Sequence, residues 1–377
     1  MGRDAAGHPA LPSRSMRHAS WIHGPRRDVL LAFCWAPFAG LALVVSPHPH
    51  ALAAVLSGVL LLSLAHQPVT LALVYGDAER FAEHRRLFSV APLAALAAVV
   101  VGLHVSLGLV AVVAGLWNAE HTLMQRYGIT RIYGRKAGDD QGSVEKPMIV
   151  SWLVLAALVA AANPRTPRYL ARLDVGEINR RGISLLTQHR LEATVLLVPV
   201  VVAVAVLSGR WLAGERALAA AGTANPAKWI YVGATAALIV TICLNPVVGF
   251  AGYVGGHALE YFVIVHGAAG RRAGSGGGGV VGGVVRSPLG AAGFVAAAAV
   301  GALIPLVALS RAGTFLVATG AYLTVGALHI FYDGLIWKLR RPTVARDLGA
   351  GPAGPAGAAP DRGPVPVAVP VAGPTRP

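Results

Sequence analysis

Charge is scarce in this sequence: 13% of its 377 residues are Asp, Glu, Lys or Arg, against roughly 25% in soluble domains. A globule of this length would lack the charges needed to coat its surface, so an ordinary soluble fold is excluded. Cysteine is nearly absent as well. Cys34 and Cys243 both lie in apolar runs, which leaves neither a disulfide framework nor a zinc knuckle and makes each a small buried hydrophobe. The sequence contains no GxxxxGK[ST], no HExxH and no GxSxG, so nucleotide hydrolysis, metalloprotease and ordinary serine-hydrolase chemistry lack their residues. The apolar runs also lack the HxxxH and HxxHH clusters of membrane fatty-acid desaturases. No internal repeat is found, which removes the main sequence signature of inverted-repeat transporters.

Apolar sequence is what the chain has in abundance, with 55% hydrophobic residues and a mean hydropathy of +0.60. Apolar runs fall at about 29–46, 51–75, 88–103, 105–126, 148–163, 191–209, 229–248, 250–267, 288–310 and 314–337. Each approaches the roughly 17–25 residues that cross a bilayer. This predicts an all-α, polytopic transmembrane helix bundle of about ten spans. The stretch from Leu87 to Trp117 folds as a tight hairpin near Gly102 to Gly108, and a second break falls near Pro246 and Gly249. Three regions follow: a cytoplasmic polar tail over 1–28, a transmembrane helical domain over 29–341, and a disordered Pro/Gly/Ala-rich tail over 342–377. The segment GSGGGGVVGG at 274–283 reads as a second low-complexity linker that builds no core.

The 32 Lys and Arg exceed the 17 acidic residues by 15. Membrane topology explains this excess better than a nucleic-acid partner, because the cations sit in short segments between apolar runs. The basic segments 76–87, 127–147, 210–228, 268–287 and 338–341 alternate with nearly uncharged ones, which places both termini in the cytoplasm and the chain, as a multi-pass protein, in the cell's inner (plasma) membrane. One loop disagrees. Residues 164–190 hold six arginines on the side that should lack them, so either 148–163 does not cross or that loop is an interfacial amphipathic piece.

Ionisable groups inside a span cost about 2.5–3.5 kcal/mol or more each, so a helix keeps them where they face one another, water or a metal. Those present are His66, Glu120, His121, His257, Glu260, His329 and Asp333. The four histidines lie on four spans that all run from outside to inside, at matched depth, so they can meet in one layer. His257 with Glu260 has i,i+3 spacing and His329 with Asp333 has i,i+4 spacing, which puts each pair on one helix face, as in the metal sites of helix bundles. Glu120 and His121 point about 100° apart, so one of the two faces the layer. Trp337 and the stretch Tyr127–Lys136 read as interfacial anchors. Lys136, Lys338 and Arg340 suit an anionic lipid head at the cytoplasmic rim.

One histidine per helix, in His66, His121, His257 and His329, resembles the Brp/Blh-type β-carotene dioxygenases, whose non-haem iron is held by histidines from several transmembrane helices. HTLMQRYG at 121–128 and HxxxDGxIWK from His329 to Lys338 are also similar to segments of an uncharacterised, histidine-rich family of polytopic bacterial membrane proteins. The acidic partners Glu120, Glu260 and Asp333 depart from an all-histidine site. The resemblance implies a metal-dependent oxygenase acting on an apolar lipid or isoprenoid, with non-haem iron, or manganese or zinc, bound by these residues, and with Glu260 and Asp333 completing or orienting the site. A second reading makes the same layer a proton relay in an ion-coupled carrier, with Pro68 and Pro246 interrupting helices.

Overall fold

The computed structural model describes residues 20–139, 141–167, 176–312 and 315–350. Among these it holds only helices and no strand. In chain order they are α1 (Pro25–Ala32), α2 (Ala36–Val45), α3 (Pro49–Tyr75), α4 (Ala78–Glu83), α5 (Arg85–Val105), α6 (Leu107–Lys136), α7 (Gly142–Ala162) and α8 (Gly176–Gln188). There follow α9 (Arg190–Ala220), α10 (Pro226–Leu244), α11 (Pro246–Gly274), α12 (Gly279–Val285), α13 (Gly290–Ala312), α14 (Phe315–Ile336) and α15 (Pro342–Asp347). Seven of the described helices, α3, α5, α6, α7, α9, α10 and α11, are long and apolar enough to cross a membrane, and the bent pair α1–α2 makes an eighth if it is one span. The last two apolar runs of the sequence form α13 and α14.

Both expected breaks occur, and each is made by a capping residue. Ser106 separates α5 from α6 and accepts the Leu109 N–H at 3.2 Å. Asn245 separates α10 from α11, and its side chain accepts the N–H groups of Val247 and Val248. Pro246 stands at the first position of α11, where its missing N–H costs nothing. Pro68, in contrast, lies inside the continuous helix α3 and breaks nothing.

α11 is the central helix, buried over most of its length and packed against α2, α3, α6 and α10. Small residues let its neighbours approach. A Cβ on Gly256 would lie 2.7 Å from the Trp35 Cβ, and one on Gly255 would lie 2.6 Å from the Phe38 ring. These glycines immediately precede His257, so the close contact with α1–α2 also sets that imidazole's position. Gly256→Ala is expected to push the two segments apart and cost about 1–3 kcal/mol, measured by denaturant unfolding in detergent.

Two expectations need correction. Residues 342–350 are not disordered: α15 forms there, and Val344, Ala345, Leu348 and Ala350 pack with Ile132 and Ala268. The rest of that predicted tail, and residues 1–19 of the first one, lie outside the described residues. The glycine-rich 274–283 segment also builds structure. Val280 N–H bonds to the Gly76 carbonyl at 3.0 Å, Val281 is buried, and Gly279 with φ 51° sits where a Cβ would meet the Gly76 oxygen. α7 is a full 21-residue helix and the arginine-bearing loop carries α8, which lies along α6 with Gly182 against Ala111.

One end of the bundle gathers the basic segments. Arg135 donates to the Leu339 carbonyl, Arg341 pairs with Glu83 at 2.6 Å and meets His84 at 2.8 Å, and Arg272 pairs with Asp77 at 2.9 Å. We refer to it as the basic end.

Candidate metal centre

The four histidines converge. His66 comes from α3, His121 from α6, His257 from α11 and His329 from α14, and all four are buried. His329 Nε2 lies 3.1 Å from His66 Nε2 and 3.1 Å from His121 Nε2. His257 closes the ring, its centroid 4.7 Å from that of His66 and 5.2 Å from that of His121. His66, His257 and His329 each offer a nitrogen within 4.8 Å of the others, as do His121 and His329 together with an Asp333 oxygen.

Hydrogen bonding determines which nitrogen of His329 faces inward. Thr70 Oγ1 lies 2.7 Å from His329 Nδ1 and donates to Asp333 Oδ1 at 2.9 Å. A hydroxyl has one proton, so Thr70 accepts from Nδ1–H, and His329 Nε2 carries its lone pair toward His66 and His121. Asp333 Oδ1 also accepts from Tyr261 Oη at 3.2 Å and Trp337 Nε1 at 3.1 Å. Its Oδ2 faces the cluster, 3.8 Å from both His121 Nε2 and His329 Nδ1. Trp337 is thus a partner of Asp333, not only an interfacial anchor, and Thr70 and Tyr261 join the site unannounced by any motif.

This arrangement fits a cation better than a closed hydrogen-bond network. One lone pair on His329 Nε2 cannot satisfy two imidazole donors, and both ring nitrogens of His257 are buried without a partner among the described residues. Nitrogens bound to one metal at about 2.1 Å stand about 3.0 Å apart at octahedral angles and about 3.4 Å apart at tetrahedral ones. The two 3.1 Å separations fall between these values.

Two of the predicted ligands are elsewhere. Glu120 is exposed on the far side of α6, as its angle from His121 requires. Glu260 shares a helix face with His257 but is engaged by an ion pair with the buried Arg126 and by Gln125 Nε2 at 3.2 Å. Arg126 also donates to Thr235 at 2.9 Å and to the Ala32 carbonyl at 3.3 Å, and it lies over the Tyr231 ring. Glu260 therefore balances a buried guanidinium and is not placed as a ligand or as a catalytic group beside the cluster.

A second set of acids, Asp139, Glu145 and Glu215, comes together where α6, α7, α9 and α10 meet. Its cation is already present: Lys228 Nζ lies 2.7 Å from Asp139 and contacts Glu145 and Glu215, while Arg131 bonds Asp139 and Glu145 at 2.8 Å each. It is an internal ion cluster. No family model, curated protein or solved structure matches the chain.

Proposed function

We propose that this chain is an integral-membrane, non-haem metal oxygenase, with iron held by His66, His121, His257 and His329 and with Asp333 as an oxygen ligand or as the group that orients His329. The supporting observation is the convergence of four imidazoles, several ring nitrogens without partners, three of them on α3, α6 and α11, which are long and apolar enough to span a membrane, and the fourth on α14. Nitrogen and carboxylate donors suit iron, and manganese or zinc next. Bound iron would supply a site for dioxygen. The protein's own contribution is to fix the imidazoles through Thr70 and Asp333 and to enclose the site in apolar helices that exclude water. A site within apolar walls suits an apolar lipid or isoprenoid substrate, as the Brp/Blh resemblance also implies. In this reading the basic end faces the cytoplasm of the inner membrane and both termini lie on that side.

The carrier reading relied on helices broken at Pro68 and Pro246. α3 is continuous through Pro68, which removes one of the two interruptions, whereas α10 ends at Leu244 and α11 begins at Pro246 as that reading expects. Elemental analysis of the purified full-length protein is expected to give about one iron per chain, and the double variant His257→Ala, His329→Ala to contain almost none. A metal-free wild type whose substrate uptake follows a proton gradient would reinstate the carrier.

A further inference from the structure

Arg80, in the short helix α4 at the basic end, is 8% exposed, and its guanidinium makes neither a hydrogen bond nor an ion pair with any described residue. Nη1 is fully buried and unpartnered. The carboxylates nearby are engaged by other groups. Asp77 accepts the Arg80 backbone N–H through Oδ1 at 3.2 Å and Arg272 through Oδ2 at 2.9 Å. Arg272 also holds Glu79 at 2.9 Å and Asp347 at 3.7 Å, and Arg271 bonds the Asp347 carbonyl at 2.5 Å. What meets the guanidinium is the Trp337 ring, with its centroid 5.6 Å from Cζ.

A ring face attracts the charge but accepts none of its five N–H donors, and buried donors left unmade are costly. Burial, and then the Arg272 charge, press the guanidinium below its ordinary value, and the charges of Asp77 and Asp347, which act on it from a distance and bond to other groups, offset this only in part. The location gives this vacancy of partners a purpose. Trp337 donates to Asp333, and Asp333 faces the histidines, so one indole lies between the unpaired guanidinium and the candidate metal centre. A lipid substrate arriving from a bilayer keeps its charged head at the rim and its chain within.

We propose that Arg80 binds the carboxylate or phosphate head of an anionic amphiphile whose apolar chain runs toward the four-histidine site. The destination of the chain rests on the oxygenase reading; the anion site does not. The test uses full-length protein stripped of metal with EDTA, in a neutral detergent, titrated calorimetrically with oleate, oleyl phosphate, oleyl alcohol and inorganic phosphate. An anionic amphiphile is expected to bind the wild type, to lose about tenfold or more in affinity in Arg80→Gln and to regain part of it in Arg80→Lys, while oleyl alcohol binds all three proteins alike. Ligand-free Arg80→Gln should melt no lower than the wild type, because an uncompensated charge has been removed; a marked fall would make Arg80 a structural residue and overturn the proposal. Equal affinity of wild type and Arg80→Gln for both anionic amphiphiles, or no binding of either, would overturn it as well. Inorganic phosphate binding as tightly as oleyl phosphate would replace the amphiphile with a free anion. Because metal is removed beforehand, these outcomes are independent of whether iron occupies the centre.

Discussion

Lys228→Met is expected to destabilise the protein by about 3–5 kcal/mol, because it leaves three buried carboxylates facing one remaining guanidinium. Lys228 is fully buried and contacts Asp139, Glu145 and Glu215, and Arg131 is the other cation in the cluster. Methionine fills the space of the lysine stem, so the loss reports charge and not a cavity. Acid should narrow the difference. In the wild type, burial alone would raise the Asp139 carboxyl, but hydrogen bonds from Lys228 and Arg131 outweigh it and hold the group below the ordinary carboxylate range. A carboxyl lowered by folding stabilises the protein above its unfolded value of about 3.9, and that contribution is lost as pH falls through the folded value. Without Lys228 the Asp139 carboxyl takes up its proton at higher pH, so the variant's deficit should shrink as pH is lowered from 7 toward 5. Denaturant unfolding across that range checks both statements, and a deficit independent of pH would show that the cluster's charges do not carry the effect.

Arg126→Met is expected to cost a similar amount, about 3–5 kcal/mol, by stranding the Glu260 carboxylate among apolar helices. Arg126 is 2% exposed and Glu260 fully buried, and among the described residues the guanidinium is the one cation paired with that acid. Adding Glu260→Leu to Arg126→Met should restore much of the loss, because replacing a whole buried pair with apolar groups is often close to neutral. The double variant also separates two roles for Glu260. As the partner of Arg126, it can be removed while iron content stays near that of the wild type; as a ligand, it could not. Restored stability with iron lost would return Glu260 to the metal centre.

The sequence shows the helices more clearly than the partners within them. Ten apolar runs appear as helices because hydropathy is a local property, and the breaks at Ser106 and Asn245 are visible as polar residues beside glycine or proline. The convergence of His66, His121, His257 and His329 could be anticipated because matched depth along spans that run in the same direction is a one-dimensional quantity. Facing is only partly legible. The i,i+3 spacing puts Glu260 on the His257 face but cannot show that Arg126, 134 positions away in sequence, takes up its carboxylate. Lys228 reads as an ordinary rim lysine before an apolar run, Glu215 lies 13 positions before it and Asp139 lies 89 positions before it, so nothing local announces the cluster. Thr70 and Trp337 escape for the same reason: a threonine in an apolar helix and a tryptophan at a helix end have common bland roles, and the Asp333 oxygen that joins them is a tertiary contact.

Sharing of one ion by imidazoles from four helices is read by X-ray absorption at the iron edge of protein reconstituted with ferrous iron. Nitrogen or oxygen neighbours are expected at about 2.0–2.2 Å with the outer-shell scattering of several imidazoles, and that signature is expected to be lost in His257→Ala, His329→Ala. Iron with no imidazole scattering, or a spectrum unchanged in the double variant, would contradict it.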